Sequence, residues 1–541
     1  MDENAPESKA SHAAPVKISA EEIRRCTELL EAIVRDRALL TELSEDERKA
    51  LLTAAGRVSR PESDQERRLV REFRRASKRE RRRKDRSVLA ETEIRVARTA
   101  PVYVPPQQTL PFERRTDERE LLTERYCYVC KAPYKKLHFF YDSMCGTCGD
   151  FNYAKRFETT PLQGRVALVT GGRVKIGYQA SLKLLRAGAT VIVTTRFPND
   201  AAQRYAREPD FAQWAERVRV HGLDLRHAPS VELFARYISA TYERLDFLLN
   251  NAAQTVRRPP GFFKHMLELE TTPVERLPEA VQPLLRDHER CKALLAGRAP
   301  HERAATLLPG SSAASEASAE TGLAMVTGAG HGAGIGIRAS AQLSQLPYAY
   351  DEDAERADIF PEGQTDADLQ QVDLRSQNSW RLSLSEVHTP EMLEVHLVNA
   401  VAPFVLCAKL KGLMKRNPTP GCAGDRHIVN VSAMEGVFSR GTKTDKHPHT
   451  NMAKAALNMM TLTSARDYQQ DGIFMNAVDT GWVTDEDPAA IAAWKKDELN
   501  FQPPLDIVDG AARICDPFIS GLITGEHVLG KFLKDYKPAN W

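Results

Sequence analysis

The spacing of apolar residues changes character along this chain, and each change marks a different kind of element. Between Ile18 and Gly56 apolar residues fall at helical intervals, as in Leu29, Leu30, Ile33 and Val34. Ser19-Ala20-Glu21-Glu22 and Ser44-Glu45-Asp46-Glu47 place a glutamate three residues after a serine, so each can cap a helix start reciprocally. Ile18 and Ile23 flank the first cap as a hydrophobic staple, and Gly56 is the expected stop of the second helix. The pattern predicts a helical hairpin over 18–56. From Val166 the period changes. Val166–Val169 is an unbroken apolar run, a helical stretch follows to Arg186, and Val191–Val193 is apolar again after Gly188. Val218–His221 alternates as a strand does, and Leu245–Leu249 makes a fourth strand. Residues 254–388 lose this rhythm. It resumes where Thr389 and Pro390 signal a helix running through Asn399 towards Met414. Strands at His427–Val431 and Phe474–Val478 then bracket a helix at Thr450–Tyr468. Short apolar strands alternating with helices predict an α/β fold, a doubly wound parallel sheet interrupted by one long insertion.

Composition divides the remainder. A chain of 541 residues exceeds one ordinary core, so several domains are expected. They are a disordered start (1–16) with the helical hairpin, over 1–60; a basic helix and proline-rich linker, 61–120; a cysteine module, 121–155; the sheet domain, 160–253 and 389–541; and the insertion, 254–388, a candidate substrate lid. The net charge of +2 excludes little, but residues 67–86 hold twelve Arg or Lys against three acids. Only Phe73 interleaves as an aromatic, so a solvated helix is preferred there over a nucleic-acid surface. Protein partners are expected through 1–120. The stretch GSSAASEASAE (310–320) is of low complexity, and Val326–Gly336 imitates a phosphate-binding turn. No second strand follows that turn at the required distance, so it is read as a mobile loop near the site. Nine cysteines, without a disulfide-like framework, fit a reducing compartment, and a cytoplasmic location is expected. The polar start lacks a secretory h-region, and no apolar run approaches the length of a membrane span.

Two groups of residues carry chemistry. Residues 165–177 read RVALVTGGRVKIG, a strand feeding a glycine turn and a helix start. Gly171 permits the tight turn, and Gly177 lets the helix start lie close to a pyrophosphate, where its free amides bind anions. This is the grammar of a Rossmann-type nucleotide site. The second group is Cys127-Tyr-Val-Cys130 and Cys145-Gly-Thr-Cys148, with fourteen residues between the pairs. Each CxxC turn aims two thiolates at one point, and an intervening hairpin returns the second pair, which suits tetrahedral Zn²⁺. Four thiolates leave no open coordination, so the site is expected to be structural. A redox CxxC would not need two copies at this spacing, and His138 is at most a reserve ligand.

Over roughly 164–253 and 389–535 these residues resemble the short-chain dehydrogenase/reductase superfamily. Thr170, Gly171 and Gly177 match its TGxxxGxG turn, with Gly172, Arg173 and Ile176 inside it. Lys175 replaces the middle glycine, as in pteridine reductases. Asp224, followed by Leu225, matches the acid that meets the adenine, and Asn250-Asn251-Ala252-Ala253 matches the NNAG segment. Thr480-Gly481 stands where the family has Pro-Gly beside the nicotinamide, and Val483 completes the implied cofactor set. NAD-type members end the second strand with an acid for the ribose. Here it ends Thr194-Thr195-Arg196, and Arg196 with Arg173 or Lys175 could fork a 2′-phosphate, so NADP(H) is favoured over NAD(H).

The resemblance also implies a catalytic Asn, Ser, Tyr and Lys, of which two are altered. Asn399 matches the Asn that orders a water relay, and Lys454 matches the Lys that binds the ribose and lowers the Tyr pKa. Thr450 occupies the Tyr position, and Ala433 that of the Ser, leaving Ser432 on the opposite side of the strand. An aliphatic hydroxyl is a poor acid near neutral pH. His449 and His447, Glu435, and Tyr348 or Tyr350 from the insertion are the candidate replacements. The preferred reading is an oxidoreductase moving a hydride between NADP(H) and a carbonyl, alcohol or enone of a small-molecule substrate. The alternatives are an inactive nucleotide-binding sensor or scaffold and, less favoured, a nucleic-acid-binding protein. The resemblance implies a homo-dimer or tetramer through the helices at 389–414 and 450–468.

Overall fold

The computed structural model describes residues 18–61, 63–105, 119–295, 332, 334–348, 356, 358–416 and 425–541. The expected disordered start, the 310–320 stretch, Tyr350 and most of the 326–336 glycine run lie outside the described residues, as does the linker beyond 105. The chain divides into two compact units, 1–83 and 84–541.

In the first unit both capping boxes form, with Ser19 Oγ accepting from the Glu22 amide and Ser44 Oγ from the Glu47 amide. The helices they open are Ala20–Arg35 and Glu45–Ser59. Gly56 does not stop the second; the helix runs past it, and the Arg60 amide closes on the Gly56 carbonyl. The basic residues lie on the exposed helix Ser63–Ala90, where Arg75–Glu72 and Arg83–Glu80 pair one turn apart.

In the second unit the end of the helix Ser63–Ala90 and a short one, Glu93–Ala97, precede a hairpin, β1 (Glu120–Tyr126) and β2 (Pro133–Lys136), and the helix Gly146–Phe157. The large sheet comprises β3 (Val166–Thr170), β4 (Thr190–Thr195), β5 (Val218–Gly222), β6 (Phe247–Asn250), β7 (Arg426–Ser432), β8 (Ile473–Asp479), β9 (Phe532–Lys534) and β10 (Lys537–Ala539), in spatial order β10-β9-β8-β7-β6-β3-β4-β5. Every pairing in it is parallel except the terminal β9–β10 hairpin. Alternate residues serve opposite faces. Ala167, Val169, Val191, Val193 and Leu249 pack beneath the helices Lys175–Arg186 and Ile507–Thr524. Leu168, Ile192, Leu248 and Ile428 meet the helices Ala228–Thr241 and Ala402–Lys415. Strand order reverses between β3 and β6, so a crevice opens beyond their carboxyl ends, where ligands of such sheets bind.

The insertion also contributes to the core of the sheet domain. Its helix Gln282–Leu295 buries Leu284, Leu285 and Leu294 in the sheet's cores, and His288 accepts from the Gly222 amide at the end of β5 at 3.3 Å. It thereby covers an edge that would otherwise template aggregation. The helix predicted from Thr389 begins there with His388 as its N-cap and continues through a π-turn, Leu397–Val401. The stretch Thr389–Lys415 is long and apolar enough to cross a membrane, contrary to the expectation from apolar runs. Half of it is buried, and Leu406, Leu410 and Leu413 pack on the sheet, as in the core helix of a folded domain.

Candidate functional site

The crevice holds a cavity of about 580 Å³. Its floor is the glycine turn. Gly171 has φ +69°, and a Cβ there would lie 2.9 Å from the Ala252 Cα. A Cβ on Gly177 would fall 2.3 Å from both Asn251 Nδ2 and the Gly171 carbonyl oxygen. Only glycine fits either place. Thr170 Oγ1 accepts from the amides of Asn251 and Ala252, each at 3.0 Å, and Asn251 Nδ2 donates to the Thr170 carbonyl. The NNAA segment is thus latched to the turn. Lys175, in the family's glycine position, adopts φ +55°. Holding a lysine in that left-handed region costs about 1–2 kcal/mol, so the turn's shape is kept in spite of the residue.

Gly171, Arg173, Lys175, Ile176, Gly177, Arg196, Asp224, Leu225, Asn251 and Ala252 line the cavity. Thr170 and Gly172 lie behind that wall; the Gly172 carbonyl accepts from the buried Tyr205 phenol at 2.6 Å. The charges at the ribose end divide unevenly. Arg173 is taken by Asp200 at 2.8 Å, and Lys175 lies 3.8 Å from Asp368. Both candidates for the second prong beside Arg196 therefore already face a carboxylate. Asp224 is also engaged: Arg226 grips both its oxygens and reaches Glu394 at 2.8 Å. Burial works to raise the Asp224 carboxyl, but Arg226 outweighs it and holds the group below the ordinary carboxylate range. Arg196 differs. Its guanidinium lies over Phe263 and Phe197, at 4.6 and 5.5 Å, and makes no ion pair among the described residues. Burial, with Arg226 nearby, pushes its pKa down to about 10, so it stays charged at neutral pH. The opposite wall contains Gln370–Asp373, Arg375 and Asn378 of the insertion and Thr484–Pro488 after β8.

The family's catalytic positions lie on β7, on the helix Pro448–Gln469 and in the π-turn Leu397–Val401, and none of them lines this cavity. Lys454 Nζ donates to the Val431 carbonyl at 2.7 Å, and burial pushes its pKa down to about 8. Thr450 is buried one turn before it, its hydroxyl without a partner among the described residues. Asn399, in the π-turn, clasps the Gln254 backbone, accepting from its amide at 2.7 Å and donating to its carbonyl at 3.0 Å. Ser432 donates to Asn458 at 2.6 Å, inside the helix packing. Burial, then His447 and His396, push the His449 pKa down to about 4, so at neutral pH it carries no acidic imidazolium. His447 stacks on Trp380 at 3.8 Å. Glu435 pairs with Arg440, and the Tyr348 phenol donates to Glu394 at 2.6 Å. Thr480 and Gly481 follow β8; a Cβ on Gly481 would lie 2.4 Å from Leu505 Cδ1. Val483 turns its side chain into an apolar cluster with Leu505 and Ile507, away from the cavity.

The four expected metal ligands come together. The sulfurs of Cys127, Cys130, Cys145 and Cys148 all lie within 4.8 Å of one another, and the Cys130–Cys145 pair is 3.7 Å apart. A tetrahedral Zn²⁺ with ~2.3 Å bonds needs sulfurs about 3.8 Å apart. Lys131, at φ +62°, closes the first knuckle by donating its amide to the Cys127 carbonyl, and Cys145 caps the helix that carries Cys148. Sequence reasoning missed Arg226, Glu394 and the 370–378 wall. Arg226 lay two residues beyond Asp224, but its partner Glu394 is distant in sequence, so no local pattern signalled the triad.

The fold and the glycine cradle define a Rossmann nucleotide-binding domain. A family model described as short chain dehydrogenase matches residues 165–280, and one described as enoyl-(acyl carrier protein) reductase matches 377–503. These two segments belong to the short-chain dehydrogenase/reductase superfamily. It is 29% identical over 406 residues to an uncharacterized protein of Acanthamoeba polyphaga mimivirus, covering 73% of this chain and 71% of that one. It is 34% identical over 91 residues to (+)-neomenthol dehydrogenase of Capsicum annuum, and 35% over 92 residues to retinol dehydrogenase 13 of Mus musculus. These matches cover 16% and 17% of this chain and only 28% and 27% of those relatives. Among solved structures, NADPH-bound carbonyl reductase from chicken fatty liver aligns at 15% identity and TM-score 0.37, over 70% of this chain and 100% of that one.

Proposed function

We propose that this protein is an NADP(H)-dependent oxidoreductase acting on a small carbonyl, alcohol or enone, with an altered proton-donating group. The observation that carries the cofactor choice is Arg196, a stacked guanidinium at the end of β4 that feels Asp224 and Glu394 from a distance but has no carboxylate in ion-pair contact among the described residues. Desolvating such a cation without a partner is unfavourable, and a 2′-phosphate is the partner its fork suits. The cradle fits the rest of the group: Gly171 and Gly177 leave the room that side chains would fill, at the start of the helix Lys175–Arg186. When bound there, a nicotinamide would supply or accept the hydride.

The proton needs a different route from the family's phenol. Lys454, pushed down to about 8, is the group at these positions whose acidity best matches neutral pH. We assign it the proton; Thr450, on the same helix face four residues earlier, keeps its hydroxyl unpartnered among the described residues. His449 is set aside because burial keeps it neutral, and Tyr348 because burial and Glu394 raise its phenol further. Asn399 positions the strand of chain after β6 that faces the substrate. Self-association through the family helices is supported by exposed Phe404, Met452, Met459 and Leu462.

The test is calorimetric binding of NADP⁺ and NAD⁺, followed by turnover with a carbonyl panel for the wild type and Lys454→Met. Binding with preference for NADP⁺, and turnover lost in the variant, is expected. A second reading, a nucleotide sensor without turnover, is favoured by one observation: Thr450 stands where a phenol should, and neither it nor Lys454 lines the cavity. Tight binding with no conversion of any substrate would establish that reading instead.

A further inference from the structure

We propose that the four-cysteine centre is a structural zinc site that sets the loop after β8, with Tyr128 as the positioning residue between metal and nucleotide cavity. The inference rests on the nucleotide reading above for its consequence, though not for its geometry.

The loop 480–506 closes one side of the cavity through Thr484, Glu486 and Asp487, and its regular structure is confined to the helix Ala489–Leu499. The module built by the cysteines holds this loop at several points. Tyr128 lies inside the first CxxC turn. Its amide donates to the Ser143 carbonyl at 2.8 Å, joining that turn to the approach of the second cysteine pair. Its phenol oxygen accepts from the Trp482 amide at 3.0 Å and lies 3.1 Å from where a Cβ on Gly481 would stand. Gly481, at φ +76°, is therefore wedged between Tyr128 and Leu505. Lys534 completes this corner, 5.8 Å from the Tyr128 ring centre and 2.9 Å from the Asp479 carboxylate at the end of β8.

The remaining contacts hold the far end of the loop. Cys127, Phe140 and Met144 share one apolar cluster with Val483, Leu505 and Ile507. Arg95 bridges Asp142 of the module, at 2.6 Å, to Asn500 of the loop, at 2.7 Å. Arg156, on the helix opened by the second cysteine pair, donates to Asp506 at 2.7 and 2.9 Å.

The energetics give the metal control. A two-stranded hairpin is at best marginally stable alone, and β1–β2 is such a hairpin. A structural zinc contributes its binding free energy directly to the folding of the segment that ligates it. Without metal, four sulfurs at these separations have no common partner, and the turn carrying Tyr128 loses its closure. Gly481 and Trp482 then lose their outer wall, and residues 484–488 lose their fixed approach to the cavity.

The test uses the full chain. Metal content is measured by mass spectrometry, and backbone hydrogen exchange is followed for metal-loaded, chelator-treated and zinc-restored protein and for Tyr128→Phe. We expect bound zinc. Its removal should speed exchange across 480–506, and its return should restore protection. Tyr128→Phe should keep its zinc and melting temperature, yet lose protection at the Trp482 amide and weaken NADPH binding about two- to tenfold, as expected for one hydrogen bond. Unchanged exchange at Trp482 in Tyr128→Phe overturns the proposal, and that variant decides the matter if the metal-free chain unfolds. Absence of zinc from protein in which 480–506 is fully protected also overturns it. Failure of the wild type to bind either nucleotide would refute the functional reading alone, since the exchange measurements need no nucleotide.

Discussion

Replacing Arg196 with alanine should separate the two nicotinamide cofactors. The guanidinium is held 4.6 Å above Phe263, so little side-chain freedom remains to be lost when a phosphate arrives. A bare Coulomb figure for unit charges 4 Å apart, at an effective dielectric constant near 20, is about 4 kcal/mol. Competing water and counterions reduce that, and hydrogen bonds to charged groups contribute about 1.5–3 kcal/mol net. The dissociation constant for NADP⁺ should therefore rise about 10- to 100-fold, while that for NAD⁺, which lacks the 2′-phosphate, stays within about twofold. Stability should barely change. The lost cation–π contact, worth about 0.5–2 kcal/mol, is offset by relief of a buried cation whose desolvation Asp224 and Glu394 do not fully compensate. Arg196→Lys should fall between, because an ammonium keeps the charge but not the fork. Titration calorimetry with each cofactor at fixed ionic strength measures the effect. Equal weakening of both cofactors, or of neither, would refute the assignment of Arg196 to the phosphate.

Three further outcomes follow from the same geometry. Because burial lowers the Lys454 pKa from 10.5 to about 8, the folded chain binds fewer protons than the unfolded one between those values, so stability should rise with pH there. In the reductive direction, turnover should fall as pH rises through about 8 and Lys454 loses its proton; a rate flat from pH 7 to 9 would remove it as the acid. Gly177→Ala should lower the melting temperature and weaken nucleotide binding together, since its methyl would meet Asn251 and the Gly171 carbonyl at 2.3 Å; wild-type stability and affinity would contradict the cradle. Asp506→Asn should cost about 3 kcal/mol in urea unfolding at pH 7, the low end for a broken buried pair because Asp509 stays 2.9 Å from Arg156. Burial works to raise the Asp506 carboxyl, but Arg156 holds it below its ordinary value of 3.8. Its contribution is thus present above about pH 4 and lost below, and the variant should lose less stability than the wild type on acidification.

Much of this molecule could be read from the order of its residues. The apolar runs at Val166–Val169 and Val191–Val193, the glycines at 171 and 177, and the cysteine pairs are local patterns, and backbone sterics or metal geometry leave each few solutions. Glycine at 171 is needed because a Cβ there would lie 2.9 Å from the Ala252 Cα, and the TGG pattern carries that requirement locally. What the tertiary structure decided is which charges are already partnered. Arg173, Lys175 and Arg196 look alike in the sequence, yet Asp200 and Asp368 engage the first two and leave Arg196 stacked on Phe263. His449 looked like a ready acid, and burial made it a neutral one. The insertion's helix Gln282–Leu295 buries Leu284, Leu285, His288, Cys291 and Leu294 at helical spacing, but the β5 residues in the same core, Val218 and Val220, are far away in the chain. Local sterics are written in neighbouring residues; electrostatic pairing and burial depend on groups that only folding brings within a few ångströms.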